Sequence, residues 1–72
     1  MKQKLNLGTL YAFVNNKLKF SGIEAASIEA RMLLTHTLNI KDSLITGYPE
    51  TLVDPEYVNI IKSNVKRRIS GE

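Results

Sequence analysis

DPEYVNIIKSNVKRRISGE, Asp54 to Glu72, reads as one helix with both of its ends marked. Asp54 is a capping residue type, and Pro55 suits the first helical position, where an amide hydrogen would find no partner inside the helix. Val58, Ile61, Val65 and Ile69 then recur at intervals of three or four, so they share one face. Gly71 supplies the stop. The charges agree with that direction. Asp54 and Glu56 lie at the positive end of the helix dipole, and Lys62, Lys66, Arg67 and Arg68 lie toward its negative end.

Working outward, the same period governs the rest of the chain. In TLYAFVNNKLKFSG, residues 9–22, Leu10, Val14 and Leu18 fall four apart with Phe13 beside them. Thr9 is the expected N-cap of this helix, and Gly22 its expected end. SIEARMLLTHTLN, residues 27–39, gives a second helix with Ala30, Leu33, Leu34, Thr37 and Leu38 as its apolar stripe and Asn39 as terminator. Glu24 and Glu29 stand near its start, where carboxylates suit the dipole. Between this helix and the last one, KDSLITGYPETLV is interrupted by Gly47 and Pro49. It has room for one short helix, capped by Asp42 or Ser43, and then a turn. The sum is an all-α fold, a small bundle of four or five short helices, in a single domain covering residues 1–72.

Composition bounds what such a domain can do. The chain has 72 residues, 43% of them hydrophobic, with no cysteine and a single histidine. A core of that share argues against disorder, and the missing thiols leave neither a disulfide framework nor a zinc site. No apolar run approaches the roughly 20 residues that span a membrane. The start, MKQKLNLGTLYAFVNNK, is basic but lacks the apolar core and small-residue cleavage site of a signal peptide. Together these features favour the cytoplasm. The net charge of +3 permits an acidic or nucleic-acid partner and requires neither.

Two stretches invite a chemical reading. Asp42-Ser43-Leu44 has the form of a phosphopantetheine attachment site, as in acyl and peptidyl carrier proteins. The helix after a carrier serine is typically acidic, whereas here no acid follows before Glu50 and Lys41 stands just ahead. A cap at the head of a short helix accounts for Asp42 and Ser43 without any modification. KSNVKRR, residues 62–68, holds four cations and no anion. It reads either as a patch for phosphate or an acidic protein surface, or as a solvated face matched to the helix dipole. Against nucleic acid, the run has no interleaved aromatics, and the helix opens on an acid that phosphate would repel. His36 has no nucleophile beside it. Tyr11, Tyr48 and Tyr57 suit the edge of a bundle with their hydroxyls in water. The four glycines are scattered, forming no phosphate loop. The residues give no catalytic site, no cofactor site and no metal site.

One resemblance goes further than these patterns. Ser21-Gly22-Ile23, then Glu29-Ala30, then Leu33-Leu34-Thr35-His36-Thr37-Leu38, and finally Asp54-Pro55 with Arg67-Arg68-Ile69-Ser70-Gly71-Glu72 follow in an order and spacing similar to one family. From about Leu10 to Glu72 the chain resembles the N-terminal domain of the HemK-type release-factor glutamine methyltransferases. That family often has Ser-Pro before the second helix and a further acid after the acid-Ala pair, where this chain has Ala25-Ala26 and Arg31. In the family's pattern Asp42 and Ser43 belong to a short third helix.

The resemblance implies a function that periodicity does not. Such enzymes join a small helical N-terminal domain to a Rossmann-like domain that binds S-adenosylmethionine. The catalytic domain methylates the side-chain amide of the glutamine in the Gly-Gly-Gln loop of peptide-chain release factors. Its glycine-rich cofactor loop and Asn-Pro-Pro-Tyr motif are not among these 72 residues. On this reading the chain is an excised or truncated N-terminal, substrate-recognition domain. Its partners would be the release factor and the catalytic domain. Lys66, Arg67 and Arg68 would be the residues that touch them. The rival reading is a freestanding helical module that binds protein or nucleic acid.

Overall fold

The computed structural model describes residues 5–71. Its elements run β1 (Leu5–Asn6), α1 (Leu7–Phe20), α2 (Ala26–Leu38), α3 (Asp42–Gly47), β2 (Leu52–Val53) and α4 (Pro55–Ile69). The fold is the expected small helical bundle, with four helices. To it is added a two-residue antiparallel ladder, Leu5 opposite Val53 and Asn6 opposite Leu52, which the helical period does not announce.

The start of α1 differs from expectation for a reason that can be read bond by bond. An α-helix leaves its first amides without internal partners. Here Leu7 donates its amide to the Thr51 carbonyl and Gly8 to the Pro49 carbonyl, both at 2.9 Å. Thr9 donates to the Asn6 side-chain oxygen at 2.7 Å. Asn6, rather than Thr9, is therefore the N-cap, and the helix begins earlier than the sequence suggests. Pro49 is more than a breaker. It is the second residue of a turn closed by Thr51 N–H to Tyr48 C=O, and that turn presents its carbonyls to α1.

The end of α1 is as expected. Gly22 sits at φ +85°, with its amide bonded to the Lys19 carbonyl and the next amide, of Ile23, bonded to Leu18. That pair of bonds is the Schellman closure, in which glycine carries the left-handed turn without Cβ strain. Asn39 ends α2 in the same left-handed region, at φ 54°. The short helix α3 corrects another expectation. Its N-cap is Lys41, while Asp42 and Ser43 lie inside the first turn and neither caps it. Asp54 and Pro55 open α4 as read from the sequence, with the Asp54 carbonyl accepting from Tyr57 and Val58.

One buried cluster joins every helix: Leu7, Leu10, Val14 and Leu18 of α1, Ala26, Ala30 and Leu34 of α2, Ile45 of α3, and Val58, Ile61 and Val65 of α4, with Val53. The centre of the α2 stripe is Ala26–Ala30–Leu34, and Leu33, Thr37 and Leu38 are only half-buried at its flank. Ile69, expected to continue the α4 stripe, has rotated to the surface. No polar or charged side chain is buried among the described residues. The fold therefore rests on apolar area and backbone bonding.

Candidate partner-binding surface

The basic end of α4 divides into two kinds of side chain. Arg68 lays its guanidinium as a fork on Glu29 of α2, Nε to Oε1 at 2.7 Å and Nη2 to Oε2 at 3.1 Å. Paired hydrogen bonds of this geometry are directional as well as charged. They hold the Glu29 carboxyl below its usual range, with burial pulling the other way. The residue read as an acid at the dipole of α2 is thus also a strut to α4. Arg68 engages Glu29 through Nε and Nη2 while its side chain stays 46% exposed. Lys66 and Arg67 are exposed. Glu72, the last position of the sequence motif, lies outside the described residues.

The other cation on the α2 side is committed as well. Arg31 reaches Asp42 at 3.4 Å, and its guanidinium carbon stands 5.9 Å from the centre of the Tyr11 ring. Tyr11 is half-buried there, while Tyr48 and Tyr57 are exposed, which fits the edge positions expected of them. His36 is exposed on α2 beside Glu29, Met32 and Leu33 around a shallow hollow. Ser43 is exposed in the six-residue α3.

Sequence reasoning missed the apolar side of this end. Phe20 and Ile69 are exposed, and they border one groove with Phe13 and Lys17. A signal existed. Phe20 falls two residues after the buried Leu18, roughly on the opposite helix face, and an aromatic there faces water unless something covers it. Among the described residues no group of three His, Cys, Asp or Glu side chains could hold a metal ion. No helix among them is long and apolar enough to cross a membrane.

Fold and surface together define a small helical bundle whose basic, partly apolar end stands open between α1 and α4. A family model, that of the PrmC N-terminal domain, matches residues 9–72. The chain belongs to that family, the N-terminal domain of the PrmC/HemK methyltransferases. No curated protein and no solved structure matches it.

Proposed function

We propose that this chain is the substrate-recognition domain of an S-adenosylmethionine-dependent methyltransferase that modifies the glutamine of the Gly-Gly-Gln loop in peptide-chain release factors. The observation that carries the reading is the family match, which runs through all four helices. The bundle supplies a rigid surface. Holding a macromolecular substrate in register lets a remote domain contribute to rate without touching the reacting atoms. Cofactor binding belongs to the catalytic domain in this reading. The scattered glycines of the sequence are in keeping with that assignment.

Lys66 and Arg67 are the first contacts for the release factor or the catalytic domain, and Arg68 acts through its hold on Glu29. The gene is read beyond codon 72 first. A frame that continues into a glycine-rich loop and Asn-Pro-Pro-Tyr supplies the whole enzyme for assay. Removing residues 1–72 from that enzyme is expected to raise KM for the release factor while methylation of a short Gly-Gly-Gln peptide keeps its rate. The double change Lys66→Ala and Arg67→Ala should raise the same KM more than Arg68→Ala does. An unchanged KM on removal of the domain, or a natural stop after codon 72, defeats the reading.

A further inference from the structure

The C-terminal halves of α1 and α4 enclose a shallow groove of about 620 Å³, lined by Phe13, Asn16, Lys17, Phe20, Ser21 and Ile69. Phe20 is 90% exposed and Ile69 40% exposed, whereas Leu7, Leu10, Val14 and Leu18 of α1 are buried. The ammonium of Lys62 stands 5.4 Å, and that of Lys17 5.8 Å, from the centre of the Phe13 ring. Among the described residues no acid lines the groove. Two of the chain's carboxylates, Glu29 and Asp42, are held by Arg68 and Arg31.

We propose that this groove is a docking site for an acidic polypeptide segment carrying one large apolar side chain. The apolar anchor covers Phe20 and Ile69, and carboxylates on either side of it meet Lys17 and Lys62. A central anchor with a charged rim is how short segments obtain both affinity and register. A second copy of this chain is a poor occupant, because it would bring the same lysines against one another. Nucleic acid is a poor one too. Surfaces for single strands stack successive bases on several rings, and here the Phe13 ring already carries two ammonium groups, leaving Phe20 alone. The inference goes beyond the methyltransferase reading, since the groove specifies the chemistry of the segment whichever protein bears it.

A random display library of short peptides, panned against this chain, tests the proposal. Enriched peptides are expected to combine Asp or Glu with a Trp, Phe, Leu or Ile. Phe20→Ala should weaken their binding at least about tenfold. The double variant Lys17→Glu and Lys62→Glu should enrich basic peptides in place of acidic ones. All three positions are exposed, so circular dichroism should report an unchanged fold, and a reversed preference is a gain that unfolding cannot produce. Failure to enrich, peptides of the wrong charge, or binding indifferent to Phe20→Ala each overturn the proposal. Single-stranded RNA or phosphatidylglycerol vesicles held through Phe20 while no peptide enriches would overturn it as well, and would give the groove to that ligand. Because no release factor enters the panning, its outcome and that of the methyltransferase test are independent.

Discussion

Arg68 and Glu29 are 39 positions apart in sequence, yet their fork joins two helices near the open end of the bundle. Its pH dependence follows from one direction. The Arg68 hydrogen bonds lower the Glu29 pKa in the folded state. A carboxyl with a depressed folded value stabilises the fold above its unfolded pKa, about 4.3, and loses that contribution as pH falls through the folded value. Wild type should therefore melt above Glu29→Gln at neutral pH, and the gap should close only on the acid side of the ordinary carboxylate range. Thermal melts of both chains across that range check this. A gap that persists at the lowest pH would assign it to packing rather than charge. Raised salt should narrow it at neutral pH, because the pair is partly exposed. Gly22 is a different kind of single-residue control. Its Cβ position is open, with nothing within 4 Å, but its φ is +85°. Gly22→Ala thus isolates backbone strain, with an expected loss of about 1–2 kcal/mol by denaturant titration. No change would mean the Schellman turn relaxes to another conformation.

At the scale of elements, the start of α1 depends on a turn more than 40 residues later in the chain. Gly8 has its amide on the Pro49 carbonyl, and a Cβ built there would lie 3.0 Å from the Pro49 Cβ. Gly8→Ala must push the turn away, at an expected cost of about 1–3 kcal/mol. Hydrogen exchange at the Leu7 and Gly8 amides should speed up more than at the amides of α4. Uniform acceleration would instead indicate general destabilisation. This arrangement also marks what the sequence makes legible. The helices α1, α2 and α4 show their period and their stops, because Gly22, Asn39 and Asp54-Pro55 are local signals. Asn6, the ladder and Lys41 do not. Asn6 caps through the nearby Thr9 amide, but the early start also needs the carbonyls of Thr51 and Pro49, which accept from Leu7 and Gly8 and which no residue pattern encodes, and two-residue strands have no period to detect. The functional surface is split in the same way. The basic run at 62–68 is visible in sequence, whereas the commitment of Arg68 to Glu29 and the meeting of Phe20 with Ile69 depend on how α1, α2 and α4 cross.

The whole molecule measures 29 × 28 × 18 Å, so in its thin direction it is about two helices deep. Every helix then shares one cluster, and α4 meets both α1 and α2 through it. A single core in a chain of this size rarely supplies more than about 3–5 kcal/mol. Ile61 is fully buried at the centre of α4, and its neighbour Ile60 is 47% exposed. The two make a matched pair, alike in side chain and helix propensity and different only in which way they face. Ile61→Ala should cost about 2–5 kcal/mol, comparable to the entire stability. Ile60→Ala should stay within about 0.5 kcal/mol. Circular dichroism with urea titration should accordingly show one chain that has lost its cooperative transition and one that keeps it. If Ile61→Ala instead unfolds cooperatively with a small shift in midpoint, the cluster does not act as a single unit, and α4 is then better described as docked on an α1–α2 pair that is stable without it.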